Sequence, residues 1–182
     1  MTRKCKSLFQ FLLISTLVLS APYRAHSSDA VSTAGDAGLV AVAAFAGGMT
    51  LWQKDTEGMI QLAESAALDL AVTYGLKYTV KERRPNDEDN HSFPSAHASV
   101  SFTAAEYLRK RYGWEYGLPA YGVAAFVAYS RVESKAHFAH DVIAGAAIGM
   151  ASSYLFTTPY KDVNLAADIS PGYLGVKLSR AW

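Results

Sequence analysis

Apolar and polar residues fall in blocks along this chain rather than alternating, and blocks of this length predict helices. Phe9 to Ala21 is a mostly apolar run without charge. Ser28 to Asp36 is small and polar and reads as a loose lead-in to Ala37–Gln53, which is uncharged. From Glu57 to about Val80, apolar residues recur at helical spacing: Ile60, Ala63, Ala67, Leu70, Ala71 and Tyr74. Pro85 is the expected stop, because proline neither continues a helix nor favours one in the residue before it. Pro94-Ser95 signals a new helix from Ala96 to Arg111, ended by Gly113. Gly117–Ser130 and Val142–Tyr160 are further uncharged apolar segments. In the second, Gly145 and Gly149 form a pair that lets a neighbouring helix approach closely. Leu165–Trp182 alternates partially around a Pro171-Gly172 turn, as a short strand or an extended tail would. The expected fold is an all-α helical bundle with a short C-terminal tail.

The N-terminus has a different purpose. Arg3, Lys4 and Lys6 precede the first apolar run, and Ala25-His26-Ser27 offers small residues where a signal peptidase reads. This is the layout of a secretory signal peptide. The expected organisation is a signal peptide over 1–27, one domain over 28–160 and a tail over 161–182. Without residues 1–27 the chain carries thirteen basic against sixteen acidic residues, a net charge of −3. That balance gives no footprint for nucleic acid. Cys5, the only cysteine, falls in the signal segment, so no disulfide or cysteine metal site is expected. With 51% hydrophobic and 18% charged residues the chain is apolar. The segments 37–53, 117–130 and 142–160 nevertheless sit near or below the ~20 residues needed to span a bilayer. They read equally as membrane spans or as buried core helices.

Three polar clusters interrupt this pattern. Lys77, Lys81, Arg83 and Arg84 crowd together, and on a continuous helix Lys77, Lys81 and Arg84 would share one face. Alone, they would be a solvated basic face. Pro94-Ser95-Ala96-His97 opens a helix, where free backbone N–H groups, the Ser95 hydroxyl and the His97 imidazole can meet an anion. In Ser130-Arg131-Val132-Glu133-Ser134-Lys135-Ala136-His137-Phe138-Ala139-His140-Asp141, His137 and Asp141 stand four apart, as on one helical face. A carboxylate there would hold one imidazole nitrogen and leave the other as a nucleophile. Arg131 offers a fork of donors matched to phosphate oxygens.

Together these clusters resemble the type-2 phosphatidic acid phosphatase superfamily, which includes bacterial acid phosphatases and vanadium haloperoxidases. Its pattern K-x6-R-P, P-S-G-H, S-R-x5-H-x3-D is matched by Lys77-x6-Arg84-Pro85, by Pro94-Ser95-Ala96-His97, and by Ser130-Arg131-x5-His137-x3-Asp141. One position departs, since Ala96 stands where the family usually has glycine. A positive φ there would strain alanine, whereas a negative φ would accept it.

The resemblance implies a helical-bundle phosphatase that uses no metal or other cofactor. His137 would attack phosphorus, Asp141 would orient it, and His97 would act as acid and then base. Lys77, Arg84, Arg131, Ser95 and the backbone at Ala96 would hold the phosphate. His140 reads as a rim residue and His91 as a solvated one. The apolar segments point to a phosphorylated lipid substrate, membrane association and an exported, periplasmic site, with an inner-membrane location in keeping. A phosphatase of small soluble phosphomonoesters stays open as the alternative. A vanadate-dependent oxidation, or a non-catalytic lipid-binding envelope protein resting on Ala96 alone, are the readings from other classes.

Overall fold

The computed structural model of the protein describes residues 27–160, 163–170 and 173–180, with side chains from 29 to 160. Five helices follow one another: α1 Ser27–Trp52, α2 Thr56–Val80, α3 Ala96–Tyr112, α4 Trp114–Glu133 and α5 Ala139–Phe156. Two antiparallel strands come after them, β1 Val163–Ser170 and β2 Tyr173–Arg180, with Ser170 opposite Tyr173. The bundle is the predicted one, and the tail resolves into a hairpin. The expected signal peptide, apart from Ser27, and the Pro171-Gly172 turn lie outside the described residues.

Two boundaries differ from the sequence reading. Ser28–Asp36 is the start of α1 and not a loose lead-in. Its small residues serve packing: a Cβ on Gly35 would stand 1.9 Å from Ser130 Oγ, and one on Gly38 3.2 Å from Val127 Cγ2, so α1 lies tightly on α4. The second helix stops at Lys81, which adopts the left-handed conformation (φ 52°, ψ 45°), well before Pro85. Lys81 and Arg84 therefore leave the helix, and the basic helical face expected with Lys77 does not form.

Helix α3 runs through the middle of the bundle and buries residues all round, from Ala98 and Ser99 through Thr103–Leu108 to Arg111. The core it forms with Val42 and Ala46 of α1 and Tyr116, Ala120 and Ala124 of α4 is rich in alanine. Its closest neighbour is α5, admitted by Gly145 and Gly149: a Cβ on Gly149 would lie 2.1 Å from Ser99 O, and one on Gly145 2.4 Å from Ser95 O. Backbone atoms cannot yield as a flexible side chain would. Gly149→Ala should therefore lower stability by about 1–3 kcal/mol, read as a drop in thermal midpoint.

The outer helices are inverted relative to those of a water-soluble bundle. On α2 the buried stripe is Gly58, Gln61, Ser65, Asp69, Thr73 and Lys77. The apolar series read from sequence (Ile60, Ala63, Ala67, Leu70, Ala71 and Tyr74) is exposed throughout. The buried polar groups satisfy one another: Ser99 of α3 donates to Asp69 Oδ2 at 3.2 Å, and Thr73 donates to Ser99 Oγ at 3.2 Å. Val40, Leu118, Ile143 and Leu155 likewise point outward, each at least 66% exposed. Between their ends, the described helices carry two exposed charged side chains, Asp36 and Glu64.

Candidate active site

Every chemistry-bearing residue predicted from sequence sits at one end of the bundle, because each lies at or just beyond a helix terminus. Lys77 is in the last turn of α2 and Arg131 in the last turn of α4. Ser95 caps α3, and Asp141 is in the first turn of α5. A cavity of about 310 Å³ opens there, lined by Lys77, Arg84, Ala96, His97, Arg131 and His137 together with Tyr74, Tyr78, Asp89, His91 and Ala136.

The segment after α2 folds back to form one wall. Ser92 N–H donates to Glu82 O and Arg84 N–H to Asp89 O. The Asp89 carboxylate takes both the His91 N–H and Arg84 Nε, each at 2.8 Å. The arginine beside it, helped by the His91 N–H, holds the Asp89 carboxyl below its usual range. Arg84 Nη1 then reaches Ala136 O at 3.2 Å and stands 3.4 Å from His137 Nε2. Lys77 is buried and donates to His91 O at 2.7 Å, Pro94 O at 2.8 Å and Ser92 O at 3.4 Å. Its three protons thus tie down the wall, and it faces the cavity as a fixed charge.

The opposite wall is built on Arg131. Its carbonyl accepts the N–H groups of both Ala136 and His137, which turns the chain sharply after α4. Its guanidinium donates through Nε to Ser130 Oγ and through Nη2 to Ser32 O, and its Nη1 lies 3.0 Å from Asp36 Oδ1.

His137 and Asp141 do come together, though not as partners on one helical face. His137 precedes α5, whose N-cap is Phe138, while Asp141 is in its first turn. Asp141 is wholly buried, and its Oδ2 accepts from Ser92 Oγ at 2.5 Å and from Phe138 N–H at 2.9 Å. His137 Nδ1 is 3.5 Å from the same oxygen and makes no hydrogen bond to it. Burial, reinforced by Arg84 and Lys77, pushes the His137 imidazole below its ordinary pKa, with Asp141 pulling the other way. Burial and the two cations favour the neutral ring, whose Nε2 faces Arg84 Nη1.

Ser95 differs from expectation. It is buried, its N–H goes to Asp141 O at 3.0 Å, and its hydroxyl turns back toward Ala98 N–H at 3.5 Å. It does not line the cavity. Ala96 is the first residue of α3 and is not among the residues with positive φ. Alanine therefore fits there without strain, and the ground for a non-catalytic reading disappears. His91, expected to be solvated, forms part of the cavity wall and packs edge-on against Tyr78 at 5.3 Å. His140 lies outside the cavity, stacked on Phe138 at 5.4 Å and bonded to Glu82 at 2.9 Å.

Sequence reading missed Asp36, Ser92 and the tyrosine pair Tyr74 and Tyr78. Asp36 had a signal: it is the one charged residue between Asp29 and Lys54. Ser92 had none, because only the folded wall carries it to Asp141.

The sequence pattern of the PAP2 superfamily matches residues 58–164, which hold all of these helix ends except that of α1. The chain belongs to the PAP2 superfamily. The lipid A 4'-phosphatase of Helicobacter pylori (strain J99) is 30% identical over 95% of this chain and 93% of its own length. The lipid A 1-phosphatase of Porphyromonas gingivalis is 35% identical over 47% of this chain, which is 21% of that larger protein. The crystal structure of Aquifex aeolicus LpxE superposes with a TM-score of 0.54 at 21% identity, covering 79% of this chain and 92% of that one, and so shares the fold. This PAP2 protein is a phosphatase, and its relatives act on phosphorylated lipid.

Proposed function

We propose that this PAP2 protein hydrolyses the phosphate of a membrane lipid through a phosphohistidine on His137, with no metal taking part. One observation carries the lipid reading. Tyr74 and Tyr78 line the cavity and also belong to the exposed apolar side of α2. The cavity is thus continuous with the outward apolar surface, where a lipid's chains would lie while its headgroup enters. The exposed apolar side chains of the outward faces and the 29–52 helix, long and apolar enough to cross a membrane, support membrane association. Exported placement with the site on the periplasmic side follows from the signal-like N-terminus. The lipid A phosphates named for the relatives are the first substrates to try.

In the proposed reaction Lys77, Arg84 and Arg131 neutralise the phosphate oxygens, as metal ions do elsewhere. The His137 Nε2 lone pair attacks phosphorus, an N–P bond forms, and the bridging P–O bond breaks with its electron pair leaving on oxygen. His97 donates a proton to that oxygen. It then takes a proton from water as the water attacks phosphorus. The N–P bond breaks, its electrons return to Nε2, and phosphate is released. Asp141 holds Nδ1 and stabilises the positive charge on the ring.

The test is turnover by the full-length protein in detergent, on a lipid phosphate and on a small aryl phosphate, with and without a metal chelator. Protein quenched in alkaline detergent is examined for bound phosphate that acid then releases. Chelator-resistant release, faster on the lipid, with label on the protein, is expected. Release abolished by the chelator would overturn metal independence. Equal rates on the soluble ester without detergent would favour the soluble-substrate alternative.

A further inference from the structure

The N-terminal helix places a carboxylate where neither the sequence pattern nor the proposed mechanism asks for one. Asp36 is the one charge in a long small-and-apolar stretch of α1. An ionisable residue in such a setting is costly unless partnered. One of its two oxygens, Oδ1, lies 3.0 Å from both His97 Nε2 and Arg131 Nη1. The placement is built: Gly35 admits α1 against Ser130, and Ser32 O receives Arg131 one turn earlier. Asp36 does not line the cavity, while His97 and Arg131 do, so it meets both from outside the substrate space.

We propose that Asp36 is a positioning residue for His97, holding Nε2 so that Nδ1 is the nitrogen left to give its proton to the leaving oxygen. The site then contains two imidazole–carboxylate pairs with separate tasks: His137 with Asp141 for attack, and His97 with Asp36 for proton delivery. The electrostatics require the second pair. His97 faces Arg131 from α4 and Arg84 from the wall after α2, with Lys77 and His137 across the cavity. Burial and the two arginines disfavour an imidazolium, and Asp36 is the neighbour that favours it. Without Asp36, an acid surrounded by cations would lose its proton too readily to protonate an alkoxide. With phosphate bound, Asp36 also keeps Arg131 turned toward the cavity, but its distinctive effect falls on the proton.

This rests on the phosphohydrolase reading with His97 as the acid, and the experiment separates the two. Asp36→Asn keeps the size and the half-exposed position while removing the charge. Its kinetics are compared with wild type on a lipid phosphate, whose alkoxide needs a proton, and on a nitrophenyl phosphate, whose leaving group does not. General acids contribute ~10²–10⁴-fold. The expected result is a loss of about tenfold or more in kcat/KM on the lipid, with kcat/KM on the aryl ester changed less than about threefold. The alkaline limb of kcat/KM should also move to lower pH. Equal losses on both esters with a raised KM would mean that Asp36 acts only through Arg131 and phosphate binding, which overturns the proposal. So would an unchanged profile. If the aryl ester is not turned over, the alkaline limb on the lipid alone decides. His97→Asn is the control: if it too shows no dependence on the leaving group, the failure belongs to the acid role of His97 and not to Asp36.

Discussion

Replacing His137 with alanine is expected to reduce phosphate release by at least ~10⁴-fold, as loss of a covalent nucleophile does when its partners cannot substitute. Phosphate or a lipid phosphate should still bind, because Lys77, Arg84 and Arg131 keep their backbone, Asp89 and Asp36 partners when the imidazole is removed. Calorimetric binding alongside turnover checks both halves. The wild-type pH profile provides an independent sign. Burial, Arg84 and Lys77 all favour the neutral ring of His137. The nucleophilic form therefore persists into acid, and the acid limb of kcat/KM should fall below the ordinary imidazole value of about 6.5. Arg84→Gln removes one of those charges and should move that limb upward. A limb at or above 6.5 in the wild type would contradict the assignment.

The second large effect is on stability, at the other end of the bundle. Asp55, which caps α2, is nearly fully buried and takes the Arg111 guanidinium on both oxygens, at 2.5 and 2.7 Å. It also accepts Gly58 N–H at 2.9 Å and Tyr112 OH at 3.0 Å. Arg111 goes on to Thr158 O at 2.9 Å, fixing the chain as it leaves α5. Removing one member strands the other charge, so Asp55→Ala should cost about 3–5 kcal/mol, measured as a fall in the denaturation midpoint. Folded protein should retain its turnover, since the pair is remote from the cavity. Burial works against the Asp55 carboxylate, but the hydrogen bonds and charge of Arg111 with Gly58 and Tyr112 outweigh it and hold its pKa below the usual range. A carboxyl depressed on folding stabilises above its unfolded pKa and loses that contribution as pH falls through the folded one. The difference between Asp55→Ala and wild type should therefore be full at neutral pH and shrink in strong acid.

The convergence of Lys77, Arg84, His97, Arg131 and His137 was legible because their spacings match a known family pattern and because helix ends gather at one side of an up-and-down bundle. What sequence could not give was direction. Periodicity marks a helical face but not which way it points, and on α2 the apolar face points out. Nor could it show that Lys81 breaks the helix, because a lysine in the left-handed region has no compositional sign. Ser95 was read as an anion donor from its place before a helix, and the fold uses it as a cap. Asp36 was passed over because its neighbours are small and polar, whereas their role is to let α1 close on α4.

The alternating direction of the described helices has one further consequence. The cavity lies where α1, α3 and α5 begin and α2 and α4 end, so the chain leaves α5 at the opposite end, where Tyr160 N–H meets Arg111 O. The approach to the hairpin and the mouth of the active site therefore lie at opposite ends of the bundle, the length of α5 apart. A partner meeting the chain as it leaves α5 would do so at the end remote from the substrate's phosphate.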